Sequence, residues 1–101
     1  MRPVRFHTRV EADLADATAY YDGQRRGLGD SFLAEFRTTT RTIANIGHVF
    51  RPTAGPYRHL KLASYPYFVY YREDGDGFIV TLVINASREP GLIQTLLGER
   101  R

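Results

Sequence analysis

Residues 65–90 constrain this chain more tightly than any other stretch. Tyr67 to Arg72 is an aromatic-rich run, Asp74-Gly75-Asp76-Gly77 follows, and Phe78 to Ala86 is nearly continuous apolar. Aromatic and β-branched side chains fit the pleated, half-buried surface of a sheet. Asp-Gly steps accept the positive φ that a two-residue hairpin loop demands. The two runs therefore pair antiparallel. The second shows almost no polar alternation, so it reads as a central strand covered on both faces. Arg88 and Pro90 close it. On this reading Tyr71 and Phe78 lie near each other, and Val80, Leu82 and Ile84 point the same way.

The first half of the chain has the other period. Val4-Arg5-Phe6 alternates like a short strand, and Thr8-Arg9-Val10-Glu11 has the form of a capping box with Thr8 as N-cap. Val10, Leu14, Ala17 and Tyr21 then recur at helical spacing. Glu11, Asp13 and Asp16 suit the positive end of that helix, and Gly23 or Gly27 is expected to end it. Gly27-Leu28-Gly29 is a tight reversal into a second helix. Its stripe is Leu28, Phe32, Phe36, Ile43 and Ile46, with Gly47 as cap. Thr38-Thr39-Thr40 is a poor helical stretch that the packing of Phe32 and Phe36 has to overcome. Pro52, Gly55 and Pro56 mark a loop. Tyr57 to Ala63 alternates again, with Arg58, Leu60 and Leu62 on one side and Tyr57, His59 and Lys61 on the other. Leu92 to Leu97 reads as a last helical turn.

The expected fold is α+β, in the order β-α-α-β-β-β, with a helical hairpin packed on one face of a small, mainly antiparallel sheet. The 101 residues are one domain's worth. With 43% hydrophobic and 25% charged residues the chain is not composed like a disordered one. It has no cysteine, which removes disulfides and thiolate metal sites. No apolar run approaches a membrane span and residues 1–20 lack a signal-peptide core, so a soluble, cytoplasmic protein is expected. Net charge is +3, and Lys61 is the only lysine among fourteen cationic side chains. Arginine favours bidentate contact with carboxylate or phosphate, which fits an anionic partner.

Six features stand in order along about 85 residues. They are Asp13-Leu14 with Ala17 and Tyr20-Tyr21, then Gly27-Leu28-Gly29 with Phe32, then Arg58, then Tyr65-Pro66-Tyr67-Phe68-Val69-Tyr70-Tyr71, and finally Arg88-Glu89-Pro90, all behind a first strand. Together they resemble the ParE branch of the RelE/ParE toxin superfamily. Two positions depart from the family pattern. Asn85 stands where a His often precedes the final arginine, and the proline common after the second helix is absent at Ile46-Gly47-His48 and appears only at Pro52. The resemblance implies a toxin of a type II toxin–antitoxin module, neutralised by a cognate antitoxin whose disordered tail folds onto it. The ParE branch implies inhibition of DNA gyrase by binding, with no chemistry and no cofactor. Nucleic acid would then be met only indirectly, through the toxin–antitoxin complex.

Two other readings stay open. A RelE-like, ribosome-dependent messenger-RNA nuclease needs cations for the phosphorane, a base and an acid. Arg58, Arg72 and Arg88 could clamp phosphate and Lys61 could act as base, but neither Tyr nor His follows Arg88 to serve as acid. The third reading is a non-toxic binding module with the same fold. The target-binding candidates are therefore Arg58, Lys61, Arg72 and Arg88, with Arg88 first. Tyr20 and Tyr65 are the antitoxin-binding candidates, and Tyr21, Tyr67, Tyr70 and Tyr71 are expected mostly in the core. His7, His48 and His59 lack acidic or cysteine partners at ligand spacing, so no metal site is expected.

Overall fold

A computed structural model describes residues 1–101. The elements are β1 (Val4–Phe6), α1 (Val10–Gln24), α2 (Leu28–Ile46), a 3-10 turn (Gly47–Val49), β2 (Arg58–Lys61), β3 (Tyr67–Asp74), β4 (Gly77–Asn85) and α3 (Pro90–Glu99). The β-α-α-β-β-β order therefore holds. The sheet runs β1-β4-β3-β2, with β1 parallel to β4 and the other pairs antiparallel. No helix is long and apolar enough to cross a membrane.

The hairpin forms where the turn chemistry places it. Asp74 pairs with Gly77 across a Gly75-Asp76 loop, and Gly75 takes φ 59°. The Tyr71 and Phe78 rings meet edge to face at 5.6 Å. Both faces of β4 are covered, as its unbroken apolar run requires. On one face Val10, Ala17, Phe32, Phe36 and Ile43 of the helical hairpin pack on Val69, Tyr71, Phe78, Val80 and Val83. On the other, Ile93 and Leu97 of α3 pack on Tyr57, Tyr70, Leu82 and Ile84. That last helix is longer than the turn expected over Leu92–Leu97, and it runs through Gly98.

The expectation that Val80, Leu82 and Ile84 share a face is overturned. Tyr71 pairs with Val80 but Tyr70 pairs with Leu82, so Thr81 is an extra residue in β4. A one-residue bulge moves every later side chain to the opposite face. Phe78 and Val80 thus face the helical hairpin, whereas Leu82 and Ile84 face α3. In β2 the expected division holds. Leu60 and Leu62 pack on the helical-hairpin side and Tyr57 on the α3 side.

The capping box at Thr8 does not form. Arg9 occupies the N-cap position of α1, and no side chain caps it. His7 anchors the turn instead. Its N–H donates to Val80 C=O at 2.8 Å, its C=O accepts the Val10 N–H at 3.0 Å, and its Nδ1 accepts the Arg9 N–H at 3.1 Å. Pairing with β4 fixes His7, and the helix starts from there. At the other end α1 passes through Gly23 to Gln24.

The Gly27-Leu28-Gly29 reversal uses its two glycines differently. Gly27 has φ 92°, outside the range comfortable for other residues. Gly29 is there for proximity: its N–H donates to Asp22 Oδ1 at 2.9 Å, and a β-carbon would overlap that carboxylate. An acid on α1 thereby satisfies a free donor at the start of α2. In the threonine stretch, Thr38, Thr39 and Thr42 return their hydroxyls to carbonyls four residues back. Ile46, placed in the α2 stripe by its spacing, is exposed. The Tyr71 hydroxyl donates to Gly47 C=O at 2.8 Å and so ties the end of α2 to the sheet.

Candidate functional site

The four cations do not converge on one point. Arg58 pairs in register with Tyr71 and so lies on the helical-hairpin side of the sheet. Its Nε donates to Phe50 C=O at 2.6 Å, and Nη2 stands 3.8 Å from Glu73. Arg72 is the next residue after Tyr71 and faces the other way. It lines a cleft of about 680 Å³ with Tyr57, Gln94, Leu97 and Arg101, while its Nη1 donates to Glu73 C=O and lies 3.6 Å from Asp74. Lys61 sits farther along β2, opposite Phe68, and its Nζ donates to Leu62 C=O at 3.2 Å.

Arg88 is the freest of the four. It is exposed and makes no side-chain hydrogen bond or ion pair. A local turn presents it. Asn85 Oδ1 accepts both the Ser87 N–H at 2.9 Å and the Ser87 hydroxyl at 2.7 Å, and Asn85 C=O accepts the Arg88 N–H at 3.1 Å. Short polar side chains build such turns by bonding to the backbone two residues on. Asn85, at a position where a histidine was a possible alternative, is thus a turn former. Arg88 lines a smaller cleft of about 180 Å³ with Phe68, Tyr70 and Ile93, directly before α3 begins at Pro90.

Electrostatics near the hairpin tip are set by ion pairs. Arg2 donates to Glu73 at 3.0 Å and holds that carboxyl below its usual pKa; desolvation opposes the shift, and the nearby Arg58 charge adds to it. Arg5 donates to Asp74 C=O and to its carboxylate. Burial pushes the Tyr71 hydroxyl up to about 12, with nearby Arg58 pulling slightly the other way. Burial also lowers the pKa of His59, whose Nδ1 lies 2.7 Å from Thr53 Oγ1 and whose ring packs on Phe68 and Tyr70.

The two tyrosine candidates separate cleanly. Tyr20 is 59% exposed and rests edge-on against Tyr21. Tyr65 is only 7% exposed. It packs on Tyr21 and Phe32, and its hydroxyl donates to Leu28 C=O at 3.1 Å. Tyr65 is therefore a core residue that ties the sheet to the start of α2, and its placement on a contact surface is corrected.

One functional grouping was not visible beforehand. Asp13, whose apparent role was to suit the helix dipole, forms a bidentate pair with Arg100 at 2.6 and 2.9 Å. Arg100 also donates to Thr81 C=O at 3.1 Å, and Asp13 Oδ2 accepts the Val83 N–H at 3.0 Å. β1 ends opposite Val80, so β4 beyond that point has a bare edge. The Asp13–Arg100 pair fills it. The only hint in the sequence was an acid on a helix that already carries several.

Comparison with known proteins identifies the family. The family described as "ParE toxin of type II toxin-antitoxin system, parDE" matches residues 4–90. Two proteins called Toxin ParE2, from the CDC 1551 / Oshkosh and H37Rv strains of Mycobacterium tuberculosis, are each 27% identical over 100 residues. The alignment covers 98% of this chain and 95% of theirs.

Proposed function

The chain belongs to the ParE toxin family of type II toxin–antitoxin systems, and from that premise we propose that it arrests growth by binding DNA gyrase, without chemistry of its own. It works in the cytoplasm and is neutralised there by a cognate antitoxin. The observation that supports binding over catalysis is the division of the arginines. Arg58 and Arg72 lie on opposite sides of the sheet, and each is engaged by backbone carbonyls. A phosphoryl transition state needs its cations preorganised around one group of oxygens. Arg58 and Arg72 are not so placed.

Arg88 is the centre of the target-binding surface on this reading. It is exposed, unpaired, and projected by the Asn85–Ser87 turn beside an aromatic cleft. Exposed arginines next to aromatic side chains are typical anchors of protein interfaces. Arg72 and Lys61 flank it on the same side of the sheet, whereas Arg58 contributes through the fold. Tyr20 offers an exposed ring for the antitoxin on the opposite layer.

The test is a time course after production of the chain without antitoxin, following DNA breaks and transcript integrity side by side. Gyrase trapped on broken DNA, a DNA-damage response and filamentous cells are expected first, with transcripts still full length. Early transcript cleavage over intact DNA would refute the gyrase assignment in favour of a ribonuclease. Growth without arrest would reduce the chain to a non-toxic binding module.

A further inference from the structure

We propose that a channel between α3 and the 53–57 loop receives an extended, acidic segment of the target protein, with Arg88 at one end and Arg72 and Arg101 at the other. The existence of such a target rests on the reading that the chain arrests growth by binding a protein; the place, shape and charge of the contact go beyond it. The clefts beside Arg72 and Arg88 are parts of one depression. The larger carries Arg72 and Arg101, the smaller carries Arg88, and Ala54 and Gln94 line both. α3 runs alongside from Pro90 onward. Its ten residues span about 15 Å, which matches roughly four or five residues of extended chain.

Both walls are fixed before anything binds. On the loop side Ala54 bridges to Tyr57, and the Thr53 hydroxyl lies 2.7 Å from His59 Nδ1. On the helix side Ile93 and Leu97 are buried and Arg100 is clipped to Asp13. Those three residues stand four and three apart and so share one face of the helix. Gln94, Gly98 and Arg101, each one position later, form the adjoining face and line the channel. Gly98 is the informative member. Glycine is a poor helix former, yet no packing contact demands it, because a β-carbon there would meet no atom within 4 Å. The glycine instead keeps the middle of the channel open.

Charge and shape choose the occupant. Arg88 and Arg101 are exposed and unpaired. Arg72 donates once, to Glu73 C=O, and approaches Asp74 only to 3.6 Å. Glu73 is the one acid lining the channel, and Arg2 at 3.0 Å and Arg58 at 3.8 Å already offset its charge. Guanidinium groups bind carboxylates through paired hydrogen bonds. Between the arginines the floor is apolar, formed by Tyr57, Leu97 and Ile93. A segment with acids toward its two ends and an apolar side chain between them satisfies all of these groups. A single nucleic-acid strand fits less well, because it needs exposed aromatic faces to stack on. Tyr57 and Tyr70 are 7% and 6% exposed, and Phe68 is only partly exposed. Arg88 lies at the centre of the proposed target surface, so the occupant of the channel belongs to that same partner.

The test uses the full chain, purified gyrase and the cognate antitoxin. Gly98→Gln fills the channel at its middle and leaves every arginine in place. Its unfolding midpoint should equal or exceed that of the wild type, since glutamine is the better helix former, and its affinity for antitoxin should be unchanged. Affinity for gyrase should fall at least roughly tenfold through the steric clash, and growth arrest should be lost. Arg101→Glu sets a like charge against the acidic segment and should weaken gyrase binding by at least a similar factor. Arg101 is exposed, so this second variant reads the channel even where Gly98→Gln folds poorly. Full gyrase affinity and full arrest in Gly98→Gln, or wild-type binding by Arg101→Glu, would overturn the inference and leave the gyrase reading intact. A wild-type chain that arrests growth without binding gyrase, beside a Gly98→Gln chain that does not arrest it, would overturn the gyrase reading and keep the channel. Neither arrest nor gyrase binding by the wild type would overturn both. Binding of a single-stranded oligonucleotide that Gly98→Gln abolishes, or loss of antitoxin affinity in that variant, would give the channel to another occupant and overturn the inference alone.

Discussion

Asp13→Ala should be among the most destabilising single substitutions in this protein. Arg100 is 8% exposed and Asp13 supplies two of the three hydrogen bonds that its side chain makes. Its Nε is already buried without a partner. Removing the carboxylate leaves a buried cation uncompensated, which costs about 3–5 kcal/mol where the surroundings hold it in place. The Val83 N–H is orphaned at the same time, and a buried unpaired donor costs about 1–3 kcal/mol. Relaxation works against these terms. Arg100 directly follows α3, so the last turn can swing outward and return the guanidinium to water. The expected loss is therefore near the lower bound, about 3 kcal/mol, or a fall of roughly 12 °C or more in midpoint for a domain of this size. Asp13→Asn keeps one acceptor oxygen for Val83 and Arg100 Nη1 but loses the charge and the acceptor for Nη2, so a loss of about 2 kcal/mol, smaller than for Asp13→Ala, is expected. Urea denaturation of Asp13→Ala, Arg100→Met and the double variant measures the coupling, which should be well above 0.5 kcal/mol in magnitude for groups in one network. Asp13→Ala within about 1 kcal/mol of wild type, or additive single effects, would refute the claim that this pair holds the bare edge of β4.

Arg88→Ala should abolish growth arrest while leaving antitoxin binding unchanged and the unfolding midpoint within the roughly 1 kcal/mol expected of an exposed charge; a variant that unfolds would return Arg88 to a structural role. Gly77→Ala should destabilise by about 1–3 kcal/mol or more, because a β-carbon there would run into Pro3 C=O and push β1 off β4; equilibrium unfolding checks this, and a neutral result would mean that β1 is not held as described. Tyr71 predicts a sensitivity to alkali. Its pKa is raised from 10.0 to about 12 in the fold, so its contribution is complete below pH 10 and is lost as pH rises toward 12. Tyr71→Phe should flatten the fall in stability across that window and cost about 1 kcal/mol at neutral pH for the lost bond to Gly47, both read from denaturation midpoints.

Much of the architecture was legible because it is encoded locally. Asp74–Gly77 announces its hairpin through turn chemistry, and the spacing of Val10, Leu14, Ala17 and Tyr21 announces the face of α1. Phe32, Phe36 and Ile43 do the same for α2, and the unbroken apolar run of β4 foretells cover on both faces. Arg88 was singled out at the end of that strand and does stand exposed there. These signals span a few residues each, and physical chemistry reads them without knowing what lies opposite.

What the tertiary structure decided involves residues far apart in the chain. The bulge at Thr81 arises from the pairing of β4 with β3, and no local pattern in Phe78 to Asn85 marks it; yet it reverses Leu82 and Ile84 and gives α3 a surface to cover. Tyr65 looks like Tyr20 in sequence, but the approach of α2 buries one and leaves the other in solvent. Whether Arg58 and Arg72 could share a phosphate depended on strand register, which sends successive side chains to opposite faces. Asp13 and Arg100 stand 87 positions apart and meet only because β1 is too short to cover β4. Periodicity and turn residues act over one or two turns of chain, so they specify elements; which side chains meet is settled by packing, after those elements have come together.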